Sequence, residues 1–189
     1  MLDKKQKIIE ATIEQFSIKG VENTKISDIV RAAGIAQGTF YLYFPSKFSV
    51  MPEIAKFAVE EIMKEIHSSI NLADDLDKKI EDLVSAVFRI TDSKKEIFAM
   101  LYAGLAQSEH LKQWESIYSP FYDWMCTFLQ QSSEKGEIRE NINCSRTSRI
   151  LIGLIESTAE QLYLYDSPSQ DEIEAQYKEL VEFTKSALK

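Results

Sequence analysis

One stretch of this 189-residue chain limits what it can fold into more than any other: ISDIVRAAGIAQGTFYLYFPSK, from Ile26 to Lys47. Ile26, Ile29, Val30 and Ala33 recur at helical spacing, and Ser27 and Asp28 bring capping and dipole-compensating chemistry to the start of that helix. Gly34 is placed to end it, because glycine accepts the left-handed backbone that closes a helix, and Ile35 pins the turn into a core. A second helix begins at about Ala36. At about 100° per residue, Phe40 and Phe44 fall on one buried side, while Gly38, Thr39, Tyr41 and Leu42 point outward with Tyr43 on the flank. Pro45 cannot continue the helix, and Ser46 caps a third. Two short helices joined by a tight turn, with a third following at once, make a helix-turn-helix pattern.

An outward face of small, hydroxyl and aromatic groups suits the major groove of DNA, which such a helix enters N-terminus first. Gln37 and Thr39 are then placed to touch base edges, flanked by Ala36 and Gly38, and Tyr41 and Tyr43 offer hydroxyls to phosphates. Lys47, in the first turn of the third helix, combines its charge with unpaired backbone N–H groups as a phosphate clamp. Thr24 either meets a phosphate or serves the turn before the first helix; Lys25 and Ser27 complete the candidate DNA-binding set. For Tyr41, Tyr43 and Lys47 the competing reading is a solvated surface.

These residues carry a resemblance. GTFYLYFPSK after ISDIVRAAGIA closely resembles the DNA-binding segment of the tetracycline-repressor (TetR) family: a small residue, Leu or Phe, Tyr, a variable residue, His or Tyr, Phe, and a Ser-Lys pair. The resemblance covers about residues 4–62 and is architectural beyond them. Tyr43 stands where many members carry His, and Pro52 lies where most have an uninterrupted helix. The resemblance implies an all-α fold, with a three-helix DNA-binding domain over 1–47 (the family-type domain extending to about 62) and a helical ligand-binding and dimerisation domain over 48–189. It further implies a homodimer formed through the last two long helices, double-stranded operator DNA as partner, and a small, largely apolar or aromatic effector bound among the aromatic helices.

Charge is divided to match. The formal net charge is −8, yet residues 1–50 hold 7 Lys/Arg against 5 Asp/Glu, while residues 51–189 hold 15 against 25. Only the first segment approaches DNA comfortably, and the six of its cations available to DNA (Lys4, Lys5, Lys7, Lys25, Arg31 and Lys47) predict sharp salt dependence without tight nonspecific binding. Cys126 and Cys144 lie in different segments with no metal-ligand partners at useful spacing, so neither disulfide nor metal is expected and both read as reduced. The longest apolar or glycine run, Ile150 to Ile155, is far too short to span a membrane, and no apolar signal region is seen; a cytoplasmic protein is expected. No nucleophile-base-acid set or phosphate-binding glycine loop appears, so neither an enzyme nor a cofactor is expected.

Along the remaining chain every periodic segment reads as helix. Ile9, Ile13 and Phe16 mark one from Asp3 to Ile18, stopped by Gly20. A long helix from Ser46 to about Ser69 meets Pro52 past its first turn, which predicts either a bend near Phe48 or a delayed start. Phe98 to Phe128 holds 8 aromatics in 31 residues against 12 in the other 158, which is either a large aromatic core or the wall of a ligand cavity. Trp114, Tyr118, Phe121, Tyr122 and Met125 face one way there, with Phe98 and Tyr102 opposite; Ile62, Ile66, Phe88 and Ile155 join them as candidate pocket residues. Ser119 and Pro120 cap a fresh helix or kink one. Glu156 lies one turn from Glu160, either on a solvated edge or facing a cationic ligand.

Ser145 begins a helix reaching about Tyr165, and Ser167, Pro168 and Gln170 start the last one. Ile150, Gly153, Leu154 and Leu162 on the former, with Ile173, Tyr177, Leu180 and Val181 on the latter, form the candidate dimer interface as a four-helix contact between two copies. The expected function is sequence-specific transcriptional regulation by a ligand-released repressor of a palindromic operator. Its rival is a helical small-molecule carrier whose DNA motif is non-functional.

Overall fold

A computed structural model describes residues 3–105, 113–166 and 168–189. Among the described residues there are helices and turns and no strand, and no helix is long and apolar enough to cross a membrane. They form two compact units, Met1–Ala58 with Glu96–Ile117, and Val59–Lys95 with Tyr118–Lys189. The first unit therefore continues past the 47/48 division drawn from sequence and also takes in a later segment.

In the first unit, α1 (Lys4–Lys19) is capped by Asp3 and closed by Gly20, whose φ of 78° is open to glycine and strained for other residues. Its buried face carries Ile8, Ile9, Thr12 and Phe16 and packs on α2 (Ile26–Ala33). The capping of α2 comes from inside: Lys25 is the N-cap, and the Asp28 carboxylate accepts its backbone N–H at 3.0 Å. Ser27 is exposed and makes no cap. Gly34 (φ 64°) and the Ile35 N–H bonded to the Val30 carbonyl close the helix as its sequence requires. Then comes α3 (Gln37–Tyr43), held to the core by Phe40 and Phe44.

Of the two expectations for Pro52, the delayed start is the one realised. Ser46 and Ser49 exchange backbone N–H to hydroxyl bonds (3.1 and 3.2 Å) around a 3-10 turn at Phe48–Val50, and α4 (Met51–Ser69) begins one residue before the proline. In that first helical turn the missing N–H breaks no bond, because the Phe48 carbonyl four residues back is taken by the Met51 N–H. α6 (Lys95–Leu105) adds buried Phe98, Met100 and Leu101 to this unit.

The second unit is built on α5 (Leu76–Ser93), capped by Asp75, against which α8 (Cys144–Glu160) and α9 (Gln170–Leu188) pack. α7 (Trp114–Glu134) runs through Pro120 with no fresh start at Ser119, and Gly136 (φ 69°) closes it with the Glu137 N–H on the Ser132 carbonyl. Asn143 caps α8, which ends in a π-helical turn at Gln161–Tyr165. The last helix starts two residues later than the sequence alone places it. Ser169 and Glu172 form a reciprocal capping box, with the Glu172 carboxylate 2.7 Å from the Ser169 N–H, so Pro168 stays outside the helix. Ser167 lies outside the described residues. Lys79 is buried here, its charge met by Glu137 at 3.2 Å and by the Phe128 ring at 5.7 Å.

Candidate nucleic-acid interface

Helix α3 is too short to be stable alone and takes its stability from one buried side. Phe40 is 0% exposed and Phe44 is buried, their centroids 5.9 Å apart. The opposite side carries Gln37, Gly38, Tyr41 (50% exposed), Leu42 (82%) and Tyr43, with Thr39 half-buried and Ala36 exposed at the N-cap. Tyr41 stacks edge-on against Phe40 at 5.7 Å, which holds its ring upright on the outer face. Leu42 was no candidate, yet it is among the most exposed apolar side chains described; an apolar group so placed matches a thymine methyl. Its signal was the outward position of a leucine between two tyrosines.

Two candidates do other work. The Lys47 ammonium donates to the carbonyls of Val21 (2.7 Å), Glu22 (2.7 Å) and Thr24 (3.0 Å) and lies 5.2 Å from the Phe48 ring centroid. An ammonium has three donors, and all three are spent stapling the loop before α2, so its side chain is not a phosphate clamp here. Thr24 is buried, its hydroxyl 2.8 Å from the Gly20 carbonyl and 3.1 Å from that of Gln15, which is the turn role. Among the other cations, Lys5 pairs with Glu53 and Arg31 with Asp28, while Lys4, Lys7 and Lys25 are exposed. Lys19 also pairs with Asp28 at 2.8 Å; that hydrogen bond, then the one from the Lys25 backbone, holds the Asp28 carboxyl below the usual carboxylate range.

A consequence is measurable by thermal melting. Lys47→Met removes charged hydrogen bonds to a half-buried loop and is expected to lower stability by about 1–3 kcal/mol. Tyr41→Ala should leave the melting temperature within a degree or two. Unchanged melting of Lys47→Met with lost DNA binding would return this lysine to a phosphate-contacting role.

In the second unit Tyr118, Tyr122 and Glu156 come together. The buried Tyr118 hydroxyl donates to Glu156 Oε1 at 3.1 Å, the Tyr118 and Tyr122 rings lie 5.9 Å apart, and the Arg149 guanidinium sits 4.4 Å from the Tyr122 centroid. Burial pushes the Glu156 carboxyl up to about 8, against the Tyr118 hydrogen bond and with help from Glu160. The solvated-edge reading of Glu156 therefore gives way: the side chain keeps some exposed surface, but its carboxyl group is desolvated. Ile62, Ile66, Phe121, Met125 and Ile155 are core residues of the same unit, and Trp114 is half-buried. Phe88 faces Tyr163 and Tyr177 instead, and Phe98 belongs to the first unit. The Tyr102 side chain lies outside the described residues.

The dimer candidates also separate. Ile150 is 67% exposed, Gly153 is exposed, and Leu154, Leu162 and Ile173 are half-buried. Leu180 and Val181, each 4% exposed, are core of the protomer, and the Tyr177 hydroxyl is bonded to Ser85 (3.0 Å) and to the Glu81 carbonyl (3.2 Å) of α5. These three are corrected from interface to internal packing, because the wide apolar stripe of α9 serves two sides and α5 takes one of them. Tyr165 and Phe183, absent from the candidate set, are exposed.

Known proteins share this arrangement. Residues 80–188 match the family model described as tetracyclin repressor-like, C-terminal domain, and residues 8–54 match that of bacterial regulatory proteins, tetR family. A curated relative, the uncharacterized HTH-type transcriptional regulator YvdT of Bacillus subtilis, is 38% identical over 186 residues, covering 98% of this chain and 95% of its own. The fatty acid metabolism regulator protein of the same organism is 23% identical over 157 residues, 82% of this chain and 81% of its own. Among solved structures, Bacillus subtilis FadR in complex with stearoyl-CoA superposes with a TM-score of 0.78 at 21% identity, over 97% of this chain and 98% of the other. On the family models and the 38% identity across nearly its whole length, the chain belongs to the tetR family of bacterial transcriptional regulators.

Proposed function

We propose that this regulator binds a two-fold symmetric operator as a homodimer, each copy placing α3 in one of two successive major grooves on the order of 34 Å apart, and that a small, largely apolar effector releases it. The observation that carries the reading is the outer face of α3, where Gln37, Thr39, Tyr41 and Tyr43 stand on a helix fixed from behind by Phe40 and Phe44. A pure carrier has no use for such a face. The dimer is supported by the exposed apolar side chains Ile150, Tyr165 and Phe183 on the two C-terminal helices and the turn between them. The effector class is supported by the aromatic content of α7 and by the likeness to a regulator solved with stearoyl-CoA. With a carboxyl raised to about 8, Glu156 is largely protonated at neutral pH and offers a hydrogen bond rather than a charge to whatever lies against it.

Selection from a random DNA pool by protein refolded free of small molecules tests the proposal. Wild type is expected to enrich a palindrome and Tyr41→Ala to lose it; no enrichment by either at moderate salt would favour the carrier. Ile150→Asp combined with Phe183→Glu puts charges into the proposed interface. Sedimentation should then show a monomer with operator affinity reduced by a factor of a hundred or so, on the order of 3 kcal/mol. A dimer of unchanged strength would move the interface elsewhere.

A further inference from the structure

A groove of about 360 Å³ opens on the second unit between α5, the π-helical turn and the start of α9. At its base the buried Phe88 ring is met nearly at right angles by two others: Tyr163 at 6.0 Å and 87°, and Tyr177 at 5.8 Å and 77°. The Tyr177 hydroxyl is tied to Ser85 and to the Glu81 carbonyl, so this wall is set without any ligand. Two carboxylates, Asp92 and Glu174, line the same groove.

The cations nearby do not fill it. Arg89 is part of the groove's lining, but its guanidinium is engaged by Glu65 (2.9 Å) and Ser69 (2.6 Å); Lys95 reaches Asp92 only at 3.9 Å, and the Lys178–Glu174 pair, though close at 2.6 Å, is exposed on both sides and weak for that reason. Ring faces carry negative potential and carboxylates carry full charge, so the lining favours a cation. It favours one that sheds its water easily and has apolar bulk to set against the rings. A bare metal ion has neither property, and a neutral apolar ligand would gain nothing from the acids.

We propose that this groove is a binding site for a small alkylammonium cation, using Phe88, Tyr163 and Tyr177 as a three-sided aromatic box and Asp92 and Glu174 as counter-charges. Asp92 bears directly on the Tyr163 wall: together with burial, the larger cause, it holds the Tyr163 hydroxyl above its ordinary pKa. None of the box residues is Tyr118, Tyr122 or Glu156, so this site is distinct from the one proposed above for the apolar effector. The site lies on the α9 side that packs on α5, while Phe183 and Ala175 face outward from that helix.

Calorimetric titration of the full chain with choline and with its uncharged carbon isostere, 3,3-dimethylbutan-1-ol, tests the proposal. Choline is expected to bind saturably, with a Kd on the order of a millimolar, and the isostere at least tenfold more weakly. Tyr163→Leu should weaken choline about tenfold, as loss of one partly desolvated cation–π wall implies. Asp92→Asn, at an exposed position that leaves the fold intact, should weaken it several-fold with no effect on the isostere. Absence of saturable choline binding, equal binding of the isostere, or choline binding untouched by both substitutions would overturn the assignment.

Discussion

Phe40→Ala is expected to cost about 3–5 kcal/mol and to abolish operator binding without touching any group that faces DNA. Truncating a buried phenylalanine removes its transfer free energy and leaves a cavity that close-packed neighbours fill only in part. Phe40 has no exposed surface, meets Tyr41 and Phe44 with its ring, and anchors a helix of 7 residues. A segment so short has no helical stability of its own, so losing the anchor releases the recognition face along with the core. The Gly34 turn and the Lys47 staple, both outside α3, cannot hold it in place. Chemical denaturation and operator binding measured on one preparation check this together. Full affinity in a destabilised variant would mean that α3 is held by something other than Phe40.

Glu156→Gln should abolish a loss of stability that the wild type suffers as pH rises. The carboxyl titrates near 8 in the folded protein against an ordinary value of 4.5. Between those values the native state holds a proton that the unfolded chain has released, so stability falls as pH rises through that window. Below about pH 4.5 the penalty is absent, and above about 8 it is complete. At roughly 1.4 kcal/mol for each tenfold change in proton affinity, the full penalty is a few kcal/mol. Glutamine keeps the volume and an acceptor for the Tyr118 hydroxyl but cannot ionise. The variant is therefore expected to match wild type within about 1 kcal/mol at pH 5 and to exceed it by a few kcal/mol at pH 9. Parallel stability profiles for the two proteins across that range would show that the carboxyl is not desolvated.

What could be read from the chain and what could not follow from the range of the interactions. The faces of α3 were legible because Phe40 and Phe44 repeat with the helix and the rest of it, Leu42 excepted, is small, polar or tyrosine. The choice at Pro52 between bend and delayed start was not, since it turned on the Ser46–Ser49 exchange that forms the 3-10 turn. The start of α9 rested on which of two serines has the stronger capping partner three residues on: Glu172 answers Ser169 with a carboxylate, whereas Gln170 offers Ser167 only an amide.

Longer-range roles left no local mark. Lys47 serves carbonyls 23 to 26 residues earlier, a staple that nothing in the Ser-Lys pair itself announces. On α9 the apolar stripe runs most of the way round, and its division into Leu180 and Val181 inward with Phe183 outward is set by α5, to which Lys185 and Lys189 are tied through Glu81 and Asp77. Desolvation of Glu156 depends likewise on α7 packing over it, which spacing within α8 does not encode.

The central claim is that the outer face of α3 reads the major groove of a two-fold site. Methylation interference on the selected operator addresses it directly, because dimethyl sulfate marks guanine N7 in the major groove and adenine N3 in the minor groove in one experiment. The prediction is interference from guanine N7 in two clusters centred about one helical turn apart, both weakened by Tyr41→Ala. Interference confined to adenine N3, or a single cluster, would contradict it.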